Sequence, residues 1–309
     1  MKRFALALAL VAAPAAAQTQ DWSTNIETVV VHANERGPLV WRVTKGDAEV
    51  DLIGQVEPVP QSLAWNTHGI EETLKGAKVL YTNAQASVGI AEGLWFLAWH
   101  SNAVYLPGDV PMESTLPADL RARLAARRDK IKRGADRYAS LRVPLAALRL
   151  EGDFLEANHL TRYEPGKTVE RLARKLDVPV KPLAEYEALP MIEKLPTMSK
   201  AANEACARDA LDDIDALDGH ADAAAQAWAV GDLGAIKANY SEERFQACIQ
   251  AVPGAAALFG RAVHDSVAAI DDALAKPGKT VMLVGIGVIL RKGGIADQLK
   301  AQGLALEEP

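Results

Sequence analysis

The sequence predicts an α/β (α+β) protein with strands near both ends of the chain and a long helical insert between them. Three observations carry this reading. Residues 38–43 and 49–56 alternate or cluster β-branched and aromatic side chains around the turn Lys45-Gly46-Asp47, which is a hairpin pattern. Residues 280–284 form a run of β-branched and large apolar side chains that ends in glycines, as a buried strand does. Between about 199 and 275 the pattern is helical almost throughout.

The remaining elements follow in chain order. Asn66 or Thr67 stands ahead of Glu71-Glu72 at capping-box spacing, so a short helix is expected over 68–75, stopping at Gly76. A strand over 78–82 comes next. Residues 87–105 are apolar and aromatic (Trp95, Phe96, Trp99) with too little periodicity to choose helix or strand. Residues 117–137 read as one helix, opened by Pro117, with acidic side chains early and basic ones late, as the helix dipole prefers. Further helices are expected over 144–159, 167–176, 199–217, 221–230, 232–240, 241–251 and 254–275, a strand over 178–183, a last helix over 295–301 and a short strand near Leu304.

Residues 1–17 read as a secretory signal. Lys2 and Arg3 precede an apolar run, and Ala15-Ala16-Ala17 forms a small-residue cleavage site, which places processing between Ala17 and Gln18. The run is shorter than the ~20 residues a bilayer span needs, so no stable membrane span is expected after cleavage. This predicts a periplasmic or secreted protein. Loss of the signal's two positive charges takes the formal charge from −6 to −8, which disfavours nucleic acid as a partner. The expected division is a signal over 1–17, an extension over 18–37 and one domain over 38–308, with its mainly helical insert at about 199–275. Cys206 and Cys248 are the only cysteines, and in an oxidising compartment they are expected to form a disulfide.

Common site motifs fail on inspection. Pro-Gly-Lys-Thr-Val occurs at 165–169 and 277–281, but a phosphate loop needs glycine where Thr161 and Ala273 stand, so both are read as turns. Gly285-Ile286-Gly287 lacks the third glycine of a dinucleotide site, where Leu290 stands. The six histidines are scattered, with none at local metal-site spacing. Asp212, Asp213, Asp215 and Asp218 read as a solvated helix face, and the basic charges of 117–137 as another.

Several segments in order resemble the TraB/GumN family, which includes the Tiki-type proteases and is related in fold to erythromycin esterases. They are Leu39-Val40-Trp41-Arg42-Val43, then Gly54-Gln55-Val56-Glu57-Pro58-Val59-Pro60 with Leu63-Ala64-Trp65, residues 167–189, Ala227-Trp228-Ala229-Val230-Gly231-Asp232, and residues 278–299. The resemblance implies a central mixed sheet in which two glycine-bearing strand ends, 54–57 and 285–288, line one pocket. It also implies a metal site that this chain has altered. Glu57 stands at the histidine of G-x-x-H, Val288 at that of the terminal G-x-G-H, and Asn83 at an acidic position. Arg261 matches a basic residue facing the pocket, as an anion contact beside Glu57 or as a buried ion pair. The candidate pocket residues are therefore Glu57, Asn83 and Arg261, with no metal and no cofactor expected, because isopropyl and neutral amide groups are poor substitutes for ionised or imidazole ligands. The preferred reading is a non-catalytic member that binds a periplasmic protein, peptide or small molecule. The alternative is a divergent metal-dependent hydrolase or peptidase that uses Glu57 with a distant histidine such as His68 or His100.

Overall fold

The computed structural model describes residues 37–307 except 109, 241–247, 249–250 and 253–255; the signal and the helix expected over 241–251 lie outside or largely outside them. Nine strands are used below: β1 Val40–Lys45, β2 Ala48–Gln55, β3 Val59–Pro60, β4 Ala77–Thr82, β5 Gln85–Ser87, β6 Leu160–Thr161, β7 Val180–Pro182, β8 Glu185–Glu187 and β9 Gly278–Gly285. Five form the central sheet in the order β1-β2-β9-β4-β7. β1 and β2 are the expected antiparallel hairpin, with Gly46 at φ 58° in the turn. β9 runs parallel to β2 and β4, and β4 parallel to β7, so the sheet is mixed and joins the two ends of the chain.

Period-two alternation assigns the strand residues to two faces. Leu52, Met282 and Val284 pack on one side with Trp41, Trp228 and the helices Ala221–Ala229 and Ala256–Leu274. Ile53, Val281 and Leu283 pack on the other with Leu80 and the helices His68–Leu74 and Glu164–Lys175. Cover on both faces explains why β2 is buried along almost its whole length and why residues 281–284 of β9 are continuously apolar. One charge is admitted: Asp51 of β2 is fully buried and receives its direct cross-strand neighbour Arg42, Nε to Oδ1 at 2.7 Å.

A second core is mainly helical, with Leu160 of β6 at its edge. Leu120 and Leu124 of helix Ala118–Lys130, Leu150 and Phe154 of helix Val143–Ala157, and Leu211 and Ile214 of helix Lys200–Leu217 meet there. The insert expected at 199–275 is thus shared: helix Lys200–Leu217 and Cys248 enter this core, while helices Ala221–Ala229 and Ala256–Leu274 cover the sheet. Cys206 and Cys248 are bonded inside the helical core, with Cα atoms 4.5 Å apart.

Four local expectations are corrected. Residues 117–137 do not form one helix: it ends at Lys130, Lys132 takes φ 55°, and a separate turn Asp136–Ala139 follows. Charge continues across the break, and Gly134 within it was the available signal. No capping box forms at His68–Leu74; Asn66 Oδ1 accepts from the His68 amide, while Thr67 Oγ1 donates to Glu71 Oε1. Pro165 and Gly166 lie in the first turn of Glu164–Lys175, where proline's missing N–H is not required, rather than in a turn before it. Near Leu304 the chain is still closing the last helix, with Gly303 at φ 79° and Leu304 N bonded to Leu299 O, so edge pairing with β1 is the single bridge Glu307–Arg42.

The acidic stretch is also reassigned. Arg123 reaches Asp212 at 2.7 Å and Asp215 at 2.9 Å, Arg127 reaches Asp215 and Asp218, and Lys130 reaches Asp218. Two faces that looked solvated when taken singly are one ion-pair seam between two helices, and Asp213 beside them is buried.

Candidate functional site at the strand ends

Parallel strands β2 and β9 end side by side, with Gly54 opposite Val284 and Gln55 opposite Gly285. This is the carboxyl edge of an α/β sheet, where such folds hold their ligands. Segments 54–57 and 285–288 are therefore neighbours in space, as the resemblance implies. Gly54 is demanded by packing: a Cβ there would lie 2.3 Å from Cζ3 of the fully buried Trp41. Its carbonyl accepts a 2.7 Å hydrogen bond from Trp228 Nε1. Gly231 at φ 68° then turns the chain close to the Gly37 carbonyl, and the Asp232 side chain caps the next helix through the Ala235 amide. The Trp-x-x-Gly-Asp segment thereby braces the β2 end.

The polar group at that end is a pair of neutral amides. Gln55, only 3% exposed, accepts a 2.9 Å hydrogen bond from Asn83 Nδ2, on the residue following β4. A Cβ on Gly166 would sit 3.1 Å from Gln55 Nε2, so the first turn of Glu164–Lys175 lies directly against the same amide. Glu57 is half-buried and precedes Pro58 across a cis peptide bond. Val288 lies on the short helix Ile286–Leu290 that leaves β9, half-buried and packed on the apolar sheet core. Its side chain adds a hydrocarbon wall.

Arg261 is exposed on helix Ala256–Leu274, which removes the buried ion-pair reading. One turn further on, Asp265 accepts a 2.6 Å hydrogen bond from the Tyr186 hydroxyl of β8. Burial, reinforced by that bond, pushes the Tyr186 hydroxyl up to about 12, with Arg261 pulling weakly the other way. His68 opens its helix exposed to solvent. His100 is half-buried elsewhere, its Nδ1 3.4 Å from Glu193 and its ring stacked on Phe96 at 5.1 Å.

The donor set does not fit a divalent metal. Among the described residues, no three of His, Cys, Asp and Glu converge in a way that could hold one. Neutral amide oxygens are weak ligands for the borderline cations that imidazole and carboxylate select. Sequence reasoning quoted Gln55 without singling it out, and missed Tyr186 with Asp265. A glutamine directly after the apolar run Leu52-Ile53-Gly54 was the available signal for the first; the second pairing joins residues 79 positions apart and left no local trace.

Comparison with known protein families gives a match to the TraB/PrgY/gumN family over residues 39–308. Searches of curated proteins and of solved structures gave no match. A match over nearly the whole chain, on a fold whose two glycine-bearing strand ends meet, establishes that this protein belongs to the TraB/PrgY/gumN family.

Proposed function

We propose that this protein is an exported, non-catalytic member of its family that serves a binding or scaffold role in the periplasm. The hydrogen bond between Gln55 and Asn83 is the observation that carries the reading. Two neutral amides bonded to each other beside the single carboxylate Glu57 offer fewer anionic donors than metal-assisted hydrolysis uses, which needs about three good ligands and a polarised water. Val288 adds nothing that coordinates. Export is supported by the order of charge, apolar run and small residues at the N-terminus, together with the Cys206–Cys248 bond, which persists in oxidising compartments. Among the described residues no helix is long and apolar enough to cross a membrane.

The test is metal binding by the mature protein beginning near Gln18, a start that mass spectrometry of the exported chain verifies. Manganese, cobalt or zinc is expected to bind no better than to Glu57→Ala and to leave the melting temperature unchanged, since only a ligand that binds the native state raises it. A stoichiometric metal lost in Glu57→Ala, with metal-dependent peptide hydrolysis, would replace this reading by the divergent hydrolase.

A further inference from the structure

Beyond the strand ends, β4 and β7 are continued by the short parallel pair β5 and β8. Against that pair, helix Ile90–Val104 and the segment leading through helix Leu189–Ile192 line a half-open cavity of about 360 Å³. It shares no lining residue with segments 54–57 or 285–288. Its wall combines three carboxylates, Glu92, Glu187 and Glu193, with three rings, Trp95, Phe96 and His100. Among the described residues no lysine or arginine lines it.

We propose that this cavity binds an organic cation, an ammonium or guanidinium group, with Trp95 as the ring face and Glu187 and Glu193 as the counter-charges.

The chemistry of the wall selects this class. Glu187 makes no ion pair among the described residues, so its charge is not already used. Among the described residues the Glu193 carboxylate is engaged only by His100, at 3.4 Å, a distance that leaves it able to turn toward a stronger cation. Glu92 folds back toward Gly89 at the start of its helix, where the dipole favours negative charge, and adds to the field without being needed as a direct contact. Trp95 is 59% exposed, and tryptophan is the best ring for a cation placed over its face. An anion would meet three carboxylates, and a wholly apolar ligand would strand them. Trp99 follows one turn after Trp95 and is 73% exposed, and Leu94 is 66% exposed, so an apolar shelf adjoins the cavity. That shelf distinguishes two sources of the same cation, a free amine that fills the cavity alone or a basic side chain on a peptide that also covers the shelf.

Titration of Trp fluorescence in the full mature protein tests this with three probes: cadaverine, the peptide acetyl-Leu-Lys-Leu-amide, and the same peptide with its lysine acetylated. Saturable binding of at least one cationic probe is expected, none of the neutral peptide, and weakening with added salt. Glu187→Gln with Glu193→Gln should weaken the cationic probe about tenfold, and Trp95→Ala about threefold, with unchanged melting temperatures because the altered side chains sit at the surface. Tighter binding of the peptide than of cadaverine assigns the source to a polypeptide; equal binding assigns it to a small amine. Equal binding of the acetylated peptide, unchanged affinity in the double glutamine variant, or no saturable binding of any probe would overturn the proposal. None of these outcomes depends on whether segments 54–57 hold a metal.

Discussion

The Trp228 indole donates to the Gly54 carbonyl at 2.7 Å, tying a helix that covers the sheet to the last turn of β2 before the candidate site. Trp65 packs edge-on against the same indole, with centroids 5.2 Å apart. The position of 54–57 thus depends on a residue far along the chain, and the dependence can be measured.

Trp228→Phe keeps most of the buried ring but withdraws the donor from a buried carbonyl. A loss of about 1–3 kcal/mol in urea unfolding is expected, since an unsatisfied buried polar group carries its desolvation cost. Gly54→Ala should be worse, because the added methyl would meet Trp41 at 2.3 Å and neither ring nor strand has room to move. A Gly54→Ala protein as stable as its parent would show that the two strands slide more freely than their register implies.

Reduction of Cys206–Cys248, which are 42 residues apart, should destabilise the protein by up to about 4 kcal/mol in the loop-entropy account. Urea melts with and without reductant measure it. Thiol titration of the native protein should find no free cysteine and, after reduction and unfolding, both.

Alkaline titration reports on Tyr186. Its hydroxyl is pushed up to about 12 by burial and by the bond to Asp265, whereas an unfolded tyrosine ionises near pH ~10. A raised folded value means that the stabilisation is fully present below pH ~10 and is lost as pH rises through about 12. The stability gap between parent and Tyr186→Phe should therefore be constant at neutral pH and close across that window. A gap that persists unchanged to the upper end would show that the hydroxyl contributes nothing through its proton.

The Asp153 carboxylate is expected to matter at the opposite end of the pH scale. Burial raises its proton affinity, but hydrogen bonds from Arg137 and Tyr138, the latter at 2.6 Å, win and hold it below the usual carboxylate range. A depressed folded value gives stability that is present above the unfolded value and lost as pH falls through the folded one. Asp153→Asn should melt lower at neutral pH and lose less on acidification than the parent, as followed by circular dichroism.

Local patterns determined much of this protein. The hairpin around Gly46, the buried strand ending at Gly285 and the helices beginning near Ser199 and Asp232 follow from side-chain period and backbone freedom, which act within a few residues, and the pairing of two lone cysteines from their even count. The family was legible too, from the ordered segments between 39 and 308. Tertiary structure alone decided the rest. It set Asn83 against Gln55, paired Tyr186 with Asp265, gathered Arg123 and Arg127 onto the acidic stretch, and left Trp95 in solvent at the cavity that Glu193 also lines. The helix over 90–104 shows why: its apolar residues lie on more than one face, so no single period emerges. Side-chain contacts between distant segments depend on how whole faces pack, and that information is carried by shape and burial across the molecule rather than by any window of sequence.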